Sequence, residues 1–308
     1  MTTTVLVTHP DCLLHDMGAY HPESPRRLRA IEDGLRAAGV YDLLPRYEAP
    51  LATCEQIERV HSAGYVDWLH GNLPQQGLRR LDPDTAMNPH SLQAAYRAAG
   101  AVVKAVDLLI DGVADNAFCN VRPPGHHAES SRAMGFCFLN NIAIGAAHAL
   151  SKDSINKVAI IDFDVHHGNG TEEMFQNDEH VLICSSFQHP NYPGKDFIKD
   201  GDRVINVTFA PGSSASQFRE AIEQSWFAKI ESFRPEMIFI SAGFDGHFDD
   251  PLAQLNLRES DYAWVTEQLA RMARKYSSNR IVSSLEGGYN LRALGPSVAA
   301  HVRALMGI

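Results

Sequence analysis

The chain has 308 residues, 44% of them hydrophobic, and a formal charge of −10 at neutral pH. An acidic balance without Lys/Arg runs excludes a nucleic-acid footprint or an anionic membrane surface as the site of action. No apolar stretch reaches the roughly 18 residues of a bilayer span, and the N-terminus lacks the basic and apolar regions of a secretory signal, so a soluble cytoplasmic protein is expected. In chain order, a strand is predicted over Thr4–Thr8, then helices over Pro25–Ala38, Glu55–His61 and Pro89–Leu109. Pro25 and Pro89 suit first helical turns, with Ser24 and Asn88 as the expected caps. A strand follows over Asn116–Asn120, a helix over Asn141–Leu150, and strands over Lys157–Phe163, Val181–Ser185 and Arg203–Phe209. A helix over Ala215–Ser232, a strand over Met237–Ser241, a helix over Glu259–Lys275, a strand over Arg280–Leu285 and a helix over Leu291–Met306 complete the order.

Runs such as "VAIID" and "MIFIS" are apolar at successive positions, hence on both faces, which suits a parallel sheet covered by helices on both sides. With no repeat or low-complexity linker, the expectation is one α/β domain over 1–308, an open, mainly parallel sheet. The five cysteines form no CxxC pair, so most of them read as small buried hydrophobes; Cys137 is a pocket-wall or packing residue.

In such folds sites form beyond the carboxyl ends of the strands. Three polar clusters fall there, "DFDVHHGNG" after "VAII", "AGFDGHFDDP" after "MIFIS" and "EGGYN" after "IVSSL"; a long loop, "VRPPGHHAESSRAMGFCFLNN", follows "NAFCN". Asp164, His166 and Asp245 offer one imidazole and two carboxylates, a donor set that zinc accepts with a position left open for water and substrate. Asp164 and His166, two apart, share a side if the chain stays extended. His126 and His127 are candidate acid–base groups, and Asp162 and Asn169 are candidate orienters of their rings. The Tyr289 phenol can donate to a carbonyl oxygen as charge grows there. Taken singly, each of these residues also reads as a cap, a turn residue or a satisfied core group.

"HPESPRRL", "RPPGHHA", "GFCFLNN", "DFDVHHGNGT", "AGFDGHFDDPL" and "LEGGYNL", spread over residues 21 to 291, resemble the ordered motif set of the zinc-dependent histone deacetylase family. The likeness is to its class II side, near bacterial deacetylase-like amidohydrolases and acetylpolyamine amidohydrolases. The resemblance implies the arginase/deacetylase-like fold and one Zn2+ per chain on Asp164, His166 and Asp245. It implies tandem histidines at His126 and His127 backed by Asp162 and Asn169, and a carbonyl-polarising Tyr289. It implies a tunnel with Gly135, Phe136 and Tyr192 in its walls, and Arg27 deep in an internal channel near the acetate exit. A structural K+ on Asp162 and carbonyls of its loop, with Ser185 or Ser186, is implied as well. The reaction implied is hydrolysis of an acetyl-lysine peptide or a small acetylated amine, releasing acetate, with His127 moving the proton.

Leu252 stands where a polyamine-selective relative carries Glu, which leans towards acyl-lysine; Asp16, Glu23 and Asp84 are the residues that would make the mouth acidic. A homo-oligomer is compatible with the resemblance, as small bacterial-type members often associate. The runner-up enzyme is a two-manganese ureohydrolase, which needs D-x-H-x-D where this chain has Gly168 in the last place. The non-enzymatic alternative is an acyl-lysine reader, whose expected mark is a lost catalytic group such as a replaced Tyr289.

Overall fold

The computed structural model describes residues 2–194, 196–198 and 201–308. Its strands are β1 (Thr4–Thr8), β2 (Arg46–Glu48), β3 (Arg79–Arg80), β4 (Ala86–Met87), β5 (Asn116–Cys119), β6 (Val158–Asp162), β7 (Val181–Gln188), β8 (Val204–Phe209), β9 (Met237–Ala242) and β10 (Ile281–Leu285). Its α-helices are α1 (Arg26–Ala37), α2 (Cys54–Ile57), α3 (Ala63–Gly71), α4 (Ser91–Ile110), α5 (Asn141–Leu150), α6 (Asn169–Phe175), α7 (Ala215–Ser225), α8 (Phe227–Phe233), α9 (Glu259–Tyr276) and α10 (Leu291–Met306).

Eight strands form one sheet in the order β2-β1-β5-β10-β9-β6-β7-β8, and every pairing in it is parallel. β5, β6, β9 and β10 are buried along their whole length, because helices cover both faces. α4 and α5 pack together as one layer, and α1, α9 and α10 as the other. Parallel pairing puts the carboxyl ends of all eight strands on one edge. The loops after the four central strands, β5, β10, β9 and β6, therefore open side by side.

Several expectations shift. β6 stops at Asp162, so Asp164 and His166 are brought together by a bend and not by strand alternation. The helix expected over 215–232 breaks at the buried Trp226; the Ser225 hydroxyl bonds back to the Ala221 carbonyl just before the break, a competitor of the helical ladder. The helix expected over 55–61 is only the single turn of α2, begun by a Thr53–Gln56 capping box. Ser24 and Asn88 do not cap. α1 starts after Pro25 without a side-chain cap, and α4 starts after His90, with Asn88 accepting from the His90 amide and the Ser91 hydroxyl. β2, the β3–β4 hairpin, α3 and α6 had no sequence prediction.

Candidate active site

Asp162 ends β6 with its carboxylate turned to the bend that follows. Its Oδ1 accepts from the Asp164 amide (3.0 Å) and its Oδ2 from His126 Nδ1 (2.9 Å). Asp164 repeats the device one step on: Oδ1 accepts from the His166 amide (2.9 Å) and lies 3.0 Å from His166 Nδ1. Asp164 Oδ2 is held by the amide of Gly287 (2.8 Å), beyond β10. Asp245, beyond β9, accepts from the Val165 amide with Oδ1 (2.9 Å); its Oδ2 is buried without a hydrogen-bond partner, 3.2 Å from His166 Nδ1. Among the described residues, these three are the group of His, Cys, Asp or Glu whose ligand atoms could hold one ion, all within 4.8 Å of one another. Oxygen–nitrogen spacings near 3 Å approach the edge of a tetrahedron with ~2.0 Å bonds, about 3.3 Å. With its buried, unpartnered oxygen, the trio fits a small divalent cation.

The electrostatics point the same way. Burial disfavours charge on His166, but Asp245 and Asp164 overcome it and hold its pKa up at about 10. Burial and the charge of Asp164 raise Asp245, whereas His126 and His166 overcome burial at Asp164 and lower it. Two buried carboxylates around one imidazole need positive charge between them.

The tandem histidines lie over this trio. Their rings are 4.0 Å apart, and His126 Nε2 is 3.8 Å from Asp164 Oδ1. Burial works against a charged His126, yet Asp164 and Asp162 hold its pKa well above the ordinary value. His127 goes the other way: burial, then its neighbours His126 and His166, push it well below. One imidazole of the pair is thus kept charged and the other neutral. Asn169 Oδ1, at the start of α6, faces His127 Nδ1 at 2.9 Å.

A cavity of about 200 Å³ opens above, lined by Asp84, His127, Gly135, Phe136, His166, Asn191, Tyr192, Leu252 and Tyr289. Tyr192 stands edge-on to His127 (4.9 Å between ring centres), and Phe136 edge-on to Tyr289 (5.9 Å). A Cβ on Gly135, at φ 58°, would sit 2.4 Å from the His127 ring, so only glycine fits against the imidazole. The Gly135 and Phe136 amides are held by Asp84 and Thr85 at the β4 end of the hairpin. Tyr289 is carried by the Asp250 carboxylate, which accepts from the Tyr289 amide (2.7 Å) and whose pKa burial and Asp245 raise to about 7.

Arg27 is fully buried outside the cavity lining, donates to the carbonyls of Glu286 and Gly288 and stacks its guanidinium 5.0 Å from the Tyr289 ring centre. It braces the loop that carries the tyrosine. Glu23 does not acidify the mouth, because it is buried in an ion pair with Arg122. Cys137 is fully buried, donates to the Gly135 carbonyl and packs without lining the cavity. Asp84 does reach the cavity. Sequence reasoning missed Glu286, fully buried, whose Oε2 accepts from the amides of Gly125 (2.7 Å) and His126 (3.1 Å) and so pins the histidine loop. Its pKa is pushed by burial to about 7. Its place in "LEGGYN" was the available signal.

The histone deacetylase domain model matches residues 21–305. The chain belongs to the histone deacetylase family. The family's fold is also that of the solved HDA15 HD domain, to which the chain is 33% identical with a TM-score of 0.92, over 100% of this chain and 90% of that one. A probable deacetylase of Archaeoglobus fulgidus is 34% identical, over 98% of this chain and 86% of that protein. A histone deacetylase-like amidohydrolase of Pseudomonas aeruginosa is 35% identical, over 88% and 73%. As a member of the histone deacetylase family, the chain is a hydrolase. No helix among the described residues is long and apolar enough to cross a membrane.

Proposed function

We propose that this chain, acting as one domain over 1–308 in the cytoplasm, is a zinc-dependent amidohydrolase that removes acetyl groups from lysine side chains. The observation that carries the reading is the buried Asp164–His166–Asp245 trio beneath His127 and Tyr289, at the floor of a narrow, aromatic-walled cavity. Asp164, His166 and Asp245 would hold the Zn2+. When bound, the ion supplies Lewis-acid polarisation of the scissile carbonyl and of the attacking water.

The remaining steps belong to the side chains. His127, kept neutral by burial and by the charged His126 beside it, takes the proton of the attacking water. It then gives that proton to the leaving amine. His126, kept charged by Asp164 and Asp162, places a positive group beside the reacting centre. The Tyr289 hydroxyl donates to the oxygen on which charge grows, and Arg27 and Asp250 steady it from behind. Phe136 and Tyr192 flank a slim aliphatic chain, and the small Gly135 keeps the base close to it.

The Ser185 and Ser186 hydroxyls, buried without hydrogen-bond partners, support a structural K+ near the end of β6; Ser185 is in register with Asp162. A two-manganese ureohydrolase is disfavoured, because a Cβ at Gly168 would meet Asp162 Oδ2 at 2.3 Å, so no third carboxylate fits there. An acetylpolyamine is the alternative substrate, favoured by the carboxylate of Asp84 in the wall; Leu252, partly exposed at the rim, favours acyl-lysine.

The test is metal content and turnover on one sample, with an acetyl-lysine peptide and N-acetylputrescine assayed side by side. One zinc per chain is expected, with kcat about 10²–10³-fold lower in Tyr289→Phe and little change in KM. Two metals per chain, or no hydrolysis of either amide, would overturn the reading.

A further inference from the structure

The base of the proposed reaction has a second partner, two bonds behind it. Asn169 Nδ2 has three neighbours: Glu129 Oε1 at 2.9 Å, the His127 carbonyl at 3.3 Å and Met134 Sδ at 3.4 Å. A carboxylate, a carbonyl and a thioether accept hydrogen bonds and donate none. The amide nitrogen therefore belongs at that end, and the amide oxygen at the end facing His127 Nδ1. An oxygen there can only accept, so Nδ1 of His127 must carry the proton. The lone pair is left on Nε2, the nitrogen that Asn169 does not bind.

Of the three acceptors only Glu129 is charged, and its contact is the shortest. A charge-assisted bond is roughly twice as strong as a neutral one. We infer that Glu129 is a positioning residue for the reaction: through Asn169 it selects the His127 tautomer that can act as a base. The inference rests on the proposed role of His127 and deepens it. Glu129 and Asn169 also line a second cleft, of about 310 Å³, whose walls include His167, Glu172 and Ile198 and no residue that lines the acyl cavity. The carboxylate thus acts on the base from behind, without occupying any space that substrate needs.

The charge does a second thing. A carboxylate pulling on Nδ2 polarises the amide and makes Oδ1 a better acceptor. His127 then receives part of the help a direct carboxylate would give, with no ion against its ring.

The experiment compares wild type, Glu129→Gln, Glu129→Ala, Asn169→Ala and the double variant Glu129→Ala/Asn169→Ala. Two readouts are needed. The first is the ¹⁵N spectrum of the His127 ring in the metal-free protein, assigned with His127→Phe, which reports the tautomer whether or not the protein turns over. The second is kcat and KM on the acetyl-lysine peptide. Wild type is expected as the Nδ1–H form, and Glu129→Ala as a mixture of tautomers. kcat should fall roughly tenfold in Glu129→Ala with KM steady, the lower end of the usual range for partners of this kind. Glu129→Gln, whose amide can still turn an oxygen to Asn169, should recover part of the loss. The double variant should be no slower than Asn169→Ala, because Glu129 acts only through that amide. An unchanged ring spectrum in Glu129→Ala, or losses that multiply in the double variant, would overturn the inference. A tautomer change in a protein that hydrolyses neither amide would leave the positioning intact and defeat the proposed reaction instead.

Discussion

Gly287 offers the sharpest test of the proposed metal site. Its backbone passes so close to the trio that an ideal Cβ would lie 1.9 Å from Asp245 Oδ2 and 2.6 Å from Asp164 Oδ2. Its φ is not in the left-handed region, so a Gly287→Ala variant acts through space alone. Cβ contacts under 3.0 Å are essentially never seen, so Asp245 Oδ2 must retreat by about 1.1 Å and Asp164 Oδ2 by about 0.4 Å. Functional constellations tolerate about 0.5 Å of misplacement, and the larger retreat is twice that. Metal affinity should fall at least a hundredfold, about 2.8 kcal/mol. Crowding in a buried place should itself cost about 1–3 kcal/mol of stability. The assay is zinc retention against a graded chelator, with the thermal transition of the metal-free protein followed in parallel. Gly64→Ala is the control, since nothing lies within 4 Å of its Cβ and it sits on an exposed turn of α3. If Gly287→Ala kept zinc as wild type does, these two carboxylates would not be holding the ion, and the site would have to be sought elsewhere.

Asn169→Asp puts a carboxylate against His127 Nδ1 and should raise the pKa of its imidazolium. Since the base must be neutral, the acid limb of kcat/KM should move to higher pH; an unmoved limb would refute the role of Asn169. His301 is fully buried between the Thr266 and Ser283 hydroxyls, and burial lowers its pKa to about 3. The unfolded chain takes up this proton near pH 6.5 and the folded protein does not, so stability is full above 6.5 and declines as pH falls towards 3. Between pH 7 and pH 5 this one group should cost about 2 kcal/mol. Urea unfolding at both pH values should show that much less acid sensitivity in His301→Gln; equal sensitivity would refute it. Arg122→Met leaves Glu23 buried with only the longer contacts to Arg27 Nη1 (3.3 Å) and His15 Nε2 (3.4 Å). A loss of about 3–5 kcal/mol is expected in denaturant unfolding, and a loss under 1 kcal/mol would show the pair to be dispensable.

What the sequence announced, and what it hid, follows from where each kind of information resides. β6 and β9 were legible because a strand buried on both faces is almost wholly apolar, and β10 because Ile281, Val282 and Leu285 frame its two buried serines. β2 and the β3–β4 hairpin were not: they are two or three residues long, Arg46, Arg79 and Arg80 are exposed, and the buried pair Ala86–Met87 of β4 is too short to show a period. α6 was hidden by its own opening, since Gly168, Asn169 and Gly170 read as loop. A Cβ on Gly170 would lie 2.1 Å from the Ala128 carbonyl, and that close approach to the histidine loop explains its glycine better than flexibility does. In the site, residue types and motif order pointed to the histidines, the aspartates and Tyr289. The supports did not show. Glu286 reaches the amides of Gly125 and His126 from about 160 positions away, and Glu23 meets Arg122 from about 100. The motif marked Arg27 as important, but its partners, the carbonyls of Glu286 and Gly288, are known only once α1 is laid beside the end of β10.

The strand order also says something about how the molecule is made. β10, nearly the last element in the chain, lies at the centre of the sheet between β5 and β9. A chain emerging from the ribosome has every other strand in hand before that slot can be filled. Until then β5 and β9 both present bare backbone edges, the kind that invite pairing with another chain. Contacts of such sequence separation close slowly. The loop that pins the histidines and carries Tyr289 comes after this last strand of the sheet, so the nascent domain is without its chemistry until that strand and loop have been made. Chaperone dependence during translation, more than the stability of the finished fold, is where this topology is expected to exact its toll.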